Sequence, residues 1–288
     1  MGARHALIRA AFGGRPQASR TDIGYRNQPC AAFGPESAFV EEDSLLPTDI
    51  QTLTPDEAIA GTTRVTARRI GFLSDDHNTR DDGSDLPVEA LEAFKGCDLI
   101  VHLGHMGVRD DNLGRGVLDR LAIVAPVLAV RDYSGKKAGG TYITPAEGQR
   151  VAGLTRVIEA GGFRIGVLHN LEKEPGPAIA TPPGGLPALE GVDVRAVLRE
   201  KFGGPVDIVA YASTHREAAI LKDGVLFVNP GSPTFPRGRP GRIQGQRALG
   251  TVGVLDVGGG VAVFEVIHLA EIASAAKQPA PAAAAPKM

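Results

Sequence analysis

Arg69–His77 reads RIGFLSDDH, a short apolar run that breaks directly into a serine, two aspartates and a histidine. RIGFL has the length of a strand. Polar residues that follow it at once stand where an open α/β sheet gathers its ligands, because the loops at the carboxyl ends of its strands face one crevice. The same pattern recurs at CDLIVHLGH (Cys97–His105), FRIGVLHN (Phe163–Asn170) and VDIVAYASTH (Val206–His215). Five of the seven histidines lie in these fragments, and histidines collected with aspartates in such a place point to a metal site.

Between these fragments, LPVEALEAFK (Leu86–Lys95) has apolar residues at helical spacing with Gly96 as its stop, Val117–Ile123 reads as a short helix, and PVLAVRD as another strand. Alternation of strand and helix predicts parallel βαβ units. The second half supplies strands with little helix between them. LKDGVLFVN and LDVGGGVAVFEV read as hairpins by their DG and GGG turns. The expected fold is therefore α/β, with two mixed sheets packed together and helices outside. Lys136–Gly162 and Leu171–Gly204 read as Gly- and Pro-rich insertions, the second containing a helix at Val192–Phe202.

Composition limits the function without choosing it. The 288 residues are 43% hydrophobic with a formal net charge of −2, enough to bury a core and no argument for nucleic acid or an anionic membrane. No apolar run approaches the roughly 20 residues of a membrane span. Cys30 and Cys97 give no metal or disulfide framework, and Cys97 reads as a small core hydrophobe. Residues 1–67 lack sustained periodicity and are expected to be a largely disordered extension, 68–269 the domain, and 270–288, ending in PAPAAAAPKM, a disordered tail. A cytoplasmic chain is expected. Organelle targeting through Arg4, Arg9, Arg15 and Arg20 is the alternative reading of an N-terminus that a plain Gly- and Ala-rich extension also explains.

The order SDDH, HLGH, AVRDYSG, VLHN, YASTH, NPGSPTFPR resembles the calcineurin-like metallophosphoesterases, in particular their small bacterial and archaeal phosphodiesterase branch, related to a retromer scaffold subunit. That family shows SDTHG, GD, GNxD, HG, GHTH and NPGS in the same order. The resemblance covers about two hundred residues and implies the αββα metallophosphoesterase sandwich. It also implies a divalent ion (Mn, Zn or Fe), a phosphoester substrate and hydrolysis by metal-bound hydroxide, with no catalytic side chain assigned beyond that.

The departures from the family pattern bear on the metal count. The first-metal ligands align with Asp75, His77, His105 and His215, and the second-metal ligands with His105, Tyr133, His169 and Ser213. An imidazole nitrogen has one lone pair for one ion where a carboxylate can join two, so His105 in the bridging position implies a mononuclear centre. His169 is then a remnant of the second site, and Tyr133 and Ser213 are degenerate positions. Asp76, Asp110, Asp111 and Asp132 are acids close enough in sequence to compensate. The alternative is a catalytically inactive member of the fold that binds a protein partner or a second copy.

Other features read as structural. His102, His5 and His268 are expected to be ordinary histidines, and Asn229–Ser232 a turn beneath the site that Gly231 makes possible. DHNTRDDGSD (Asp76–Asp85) lacks the closing Glu of a calcium loop. LDVGGG precedes no helix and is no dinucleotide motif.

Overall fold

The computed structural model describes residues 5–11, 22–26, 59–107, 112–132, 150–174, 176–182, 184–236, 242–243 and 246–276. In chain order the elements are β1 (His5–Ala11), β2 (Asp22–Arg26), β3 (Ile59–Arg64), β4 (Arg69–Leu73), α1 (Val88–Ala93), β5 (Leu99–His102), α2 (Asn112–Ala122), β6 (Val127–Val130) and β7 (Val151–Ala152). There follow β8 (Thr155–Ala160), β9 (Phe163–Leu168), α3 (Val194–Phe202), β10 (Ile208–Ala210), β11 (Glu217–Lys222), β12 (Val225–Pro230), β13 (Arg242–Ile243), β14 (Gln246–Arg247), β15 (Thr251–Gly258), β16 (Val261–His268) and α4 (Leu269–Ala275). Among the described residues no helix is long and apolar enough to cross a membrane.

Two mixed sheets carry the fold. One runs β2-β1-β16-β15-β4-β5-β6-β7 and the other β11-β12-β10-β9-β8-β3, with β13 and β14 as a separate pair. β4 through β7 are parallel, as are β9, β10 and β12. Strand parity sorts the side chains into layers. Ile70, Phe72, Val101, Ile165, Val167, Ile208, Ala210, Leu226 and Val228 meet between the sheets. Leu73, Ile100 and Val254 face outward under Ala90, Phe94, Leu118 and Leu269 of the helical side, with Cys97 buried there as expected. Val157, Leu168, Val209 and Phe227 pack on Leu198 and Phe202 of α3. Strands buried on both faces are continuously apolar, which is why RIGFL, LIVH and VLFV stand out in the sequence.

The turns follow their chemistry. Asp223 and Gly224 join β11 to β12 with φ of 50° and 75°, the type I′ hairpin that a DG pair favours. Asp193 caps α3 by accepting from the Ala196 N–H (3.1 Å), and Gly203 ends it at φ 66°.

The structure adds strands where the sequence shows none. Residues 151–152 and 155–160, inside the stretch read as an insertion, are β7 and β8. TRVIEA of β8 looks like surface because of its charges, yet Arg156 is buried and its Nη1 donates to the Arg150 carbonyl (3.2 Å). Within residues 1–67, β1 pairs antiparallel with β16, β2 with β1, and β3 parallel with β8. IAGTTR of β3, with its glycine and threonines, shows no alternation to betray it. At the other end, Leu269 and Ile272 of α4 pack into the outer layer, while residues 277–288 lie outside the described residues.

Gly71 shows how closely this layer is packed: a Cβ there would stand 2.5 Å from Phe94 Cδ1. Gly71→Ala is expected to cost about 1–3 kcal/mol through overpacking, and Gly71→Ala with Phe94→Leu to recover part of it. Urea unfolding of the two variants against the parent checks both.

Candidate metal centre

The carboxyl ends of β4, β5, β6, β9, β10 and β12 open onto one place, and every candidate ligand stands on a loop that leaves one of these strands. Asp75 and His77 follow β4, His105 follows β5, Asp132 follows β6, His169 follows β9 and His215 follows β10. Six described non-glycine residues have positive φ. Five of them are here: Asp75 (53°), His77 (47°), His105 (57°), Ser213 (71°) and His215 (57°); the sixth is Asp223 in its hairpin. Such a backbone costs roughly 1–3 kcal/mol per residue and persists only where its surroundings over-determine it.

Those surroundings are buried hydrogen bonds from the NPGSPTF segment. Ser232 Oγ donates to the Asp75 carbonyl (2.7 Å) and accepts from Phe235 N–H (2.8 Å); Thr234 Oγ1 donates to the Asp76 carbonyl (2.6 Å). Ser74 Oγ donates to the Gly231 carbonyl (2.9 Å). Gly231, at φ 77°, has Thr251 Oγ1 2.2 Å from where a Cβ would lie, so the turn beneath the site needs its glycine. Asn229 Oδ1 accepts from Gly231 N–H (2.9 Å).

Hydrogen bonding also sets the ring tautomers. His169 Nδ1 lies 2.9 Å from the Leu103 carbonyl and His215 Nδ1 2.9 Å from the Phe235 carbonyl; carbonyls only accept, so both Nδ1 atoms carry the proton. His105 Nδ1 likewise faces Asp132 Oδ2 at 3.0 Å. In the neutral rings Nε2 then keeps its lone pair. His215 Nε2 and His169 Nε2 lie 3.4 and 3.7 Å from Asp75 Oδ1, and His77 Nε2 lies 3.2 Å from His215 Nε2. Among the described residues, ligand atoms within 4.8 Å of one another form two groups, Asp75–His77–His215 and Asp75–His105–His169. The geometry thus sorts the ligands differently from the alignment: His105 keeps company with His169, and the residue common to both groups is Asp75. One carboxylate with imidazoles anchored through Nδ1 is a donor set that fits a first-row divalent ion.

The Asp75 carboxylate and the rings around it shift one another. Burial alone would raise the Asp75 carboxyl, but His169, His215 and His105 hold it well below the usual carboxylate range. Burial, with His105 and His215 beside it, takes His77 down to about 4, so the ring is neutral at neutral pH. Burial also lowers His169. For His105 and His215 burial is outweighed by Asp132 and Asp75 respectively, and both are raised.

Of the sequence candidates, Asp75, His77, His105, His169 and His215 come together. Asp132 supports His105, whereas Asp76 turns away to His102 Nε2 (2.9 Å). Ser213 supplies no ligand nitrogen. Its N–H donates to Asp75 Oδ2 (3.1 Å) and its Oγ accepts from Asn170 Nδ2 (2.8 Å). Tyr133, Asp110 and Asp111 lie outside the described residues. The supporting role of Thr234 and the pairing of Asp132 with His105 carry no signal in the chain, because each depends on a loop from a distant strand.

The family description "calcineurin-like phosphoesterase superfamily domain" matches residues 69–257. A probable metallophosphoesterase of Methanothermobacter thermautotrophicus is 27% identical over 170 residues, 58% of this chain and 78% of that one. Another, of Methanocaldococcus jannaschii, is 28% identical over 168 residues, 58% of this chain and 69% of that one. Among solved structures, Vps29 of Chaetomium thermophilum aligns with 70% of this chain and 89% of its own, at 20% identity and a TM-score of 0.45.

Ser232→Ala removes the donor to the Asp75 carbonyl and the acceptor for Phe235 N–H. A loss of about 1–3 kcal/mol is expected, together with a roughly 10- to 100-fold weaker affinity for manganese. Urea unfolding and calorimetric titration measure the two separately.

Proposed function

The chain belongs to the calcineurin-like phosphoesterase superfamily, and from that premise we propose that it is a metal-dependent phosphodiesterase with a reduced centre of one divalent ion per chain. The observation that carries the metal reading is the convergence of four imidazoles on the buried Asp75 carboxylate, as two ligand groups with that one residue in common. A divalent ion held there would supply Lewis-acid chemistry, acidifying a water and polarising a phosphoryl oxygen.

The side chains divide the remaining work. Asp75, His77 and His215 are the proposed holders of the ion, with His215 aimed by the Phe235 carbonyl. His105, anchored by Asp132, and His169, anchored by the Leu103 carbonyl, line the other side of Asp75 and orient the ester. The case for a single ion is one of charge. Asp75 is the only carboxylate in either group, its Oδ2 is engaged by Ser213 N–H, and Oδ1 alone faces both sets of rings. Two dications around one such oxygen would repel each other with a single negative charge to offset them.

Titration of the metal-stripped protein with manganese or zinc should therefore saturate at one ion per chain, and Asp75→Ala should abolish binding. Two comparably tight ions would overturn the reduced centre. A metal-loaded protein that hydrolyses no aryl phosphodiester in manganese, zinc or iron would overturn the enzyme reading and return the protein-binding alternative.

If the centre is reduced by loss of its second ligand set, the triple change His105→Asp, Tyr133→Asn and Ser213→His should restore binding of a second ion and raise aryl phosphodiester hydrolysis in manganese well above the parent's. The single changes should do much less, since ligands of one ion act as a unit. A parent already as active as the triple variant would rule out such decay.

A further inference from the structure

Beside the ligands, the loop after β4 is joined to the last residue of β5 by a buried pair that supplies no ligand. Asp76 Oδ1 lies 2.9 Å from His102 Nε2 and both side chains are fully buried. Gly104 N–H donates to His102 Nδ1 (3.1 Å), so Nδ1 carries no proton, and the proton on Nε2 is the one donated to Asp76. This tautomer is the opposite of the one read for His105, His169 and His215. With both nitrogens engaged inside the protein, His102 has none left for an ion.

The pair sits at the seam between two ligand-bearing loops. β4 and β5 are in parallel register with Leu73 opposite His102, and the pairing continues past their ends: Leu103 N–H donates to the Leu73 carbonyl (2.8 Å), Asp75 N–H to the Gly104 carbonyl (3.2 Å) and Asn78 N–H to the Met106 carbonyl (2.9 Å). Asp75 and His105 stand on opposite sides of this seam, each with a left-handed backbone. The Asp76 carbonyl meanwhile accepts from Thr234 Oγ1, which ties the seam to the loop after β12.

We propose that Asp76 and His102 are positioning residues of the metal centre, acting through one buried hydrogen bond that holds the Asp75 and His105 loops at ligand spacing. The inference rests on the metal reading above for its functional meaning. It assigns Asp76 an acceptor's role and no direct contact with the ion.

The test separates an acceptor from a ligand. Asp76→Asn keeps an oxygen for His102 Nε2–H but loses the charge; Asp76→Ala loses both. Calorimetric titration with manganese should leave Asp76→Asn within about threefold of the parent and weaken Asp76→Ala by about tenfold or more, the range seen when support around a ligand is removed. Asp76→Asn falling as far as Asp76→Ala would make Asp76 a ligand and overturn the proposal, and so would an Asp76→Ala that binds like the parent.

A second readout needs no ion. In metal-free protein labelled with 15N in its histidine rings, His102 should be protonated on Nε2 alone, with His169 and His215 protonated on Nδ1, and the His105 ring signals should move in Asp76→Ala. A parent that binds no manganese but shows this pattern would fail the metal reading while keeping the pair as the seam's lock. His102 protonated on Nδ1 would overturn the proposal, including where Asp76→Ala does not fold.

Discussion

The Asp75 carboxylate, buried where two sheets meet, constrains everything around it. A buried charge costs several kcal/mol unless partners compensate it, and no single strand can supply enough of them. Here the partners are Ser213 N–H on one oxygen and the rings of His169 and His215 facing the other. They come from the ends of β9 and β10, in the sheet opposite β4. The carboxylate is therefore tolerable only because the two sheets are packed together with their parallel strands opening at the same end, and the inter-sheet layer from Ile70 to Val228 keeps them there.

That arrangement is stored partly as strain. Five left-handed non-glycine residues in one cluster carry a conformational cost comparable with the net stability of a small domain. The backbone is held by Ser74, Ser232 and Thr234, whose hydroxyls bond to carbonyls of the β4 and β12 loops. These tight turns bring residues two to five positions beyond a strand together at the sheet ends. Glycine would adopt these turns more easily and would have no ligand to offer. Chemistry is kept at the expense of local conformation, and buried hydrogen bonds make up the difference.

The His105 position shows how a changed ligand type propagates. An imidazole there faces two ways: Nδ1 toward Asp132, and Nε2 left for the Asp75 side. The negative charge that the family pattern places on the bridging residue itself stands one step behind it, on Asp132. Asp76 could have supplied charge from next door, yet it is spent on His102. The ligand groups share Asp75 as a result, with consequences for how many ions one carboxylate can hold.

The chain by itself determined the layers and the end of the sheets at which polar residues collect. RIGFL, LIVH, FRIGVL, VDIVA and VLFVN are legible because a strand buried on both faces must be apolar throughout, and DG and GGG mark hairpins because only such residues take the turns. Asp75, His77, His105, His169 and His215 were legible for the same reason, being the polar residues placed straight after those runs. β3, β7 and β8 were not, since a buried Arg156 or a Gly- and Thr-containing strand looks like surface until its neighbours are known. Nor could the chain say which histidine goes with which, that Asp75 stands in both groups, that Asp132 supports a ligand while Asp76 locks His102, or that five turns are left-handed. Those facts are contacts between loops of different strands, brought within hydrogen-bonding distance by sheet packing, and only the tertiary structure decides them.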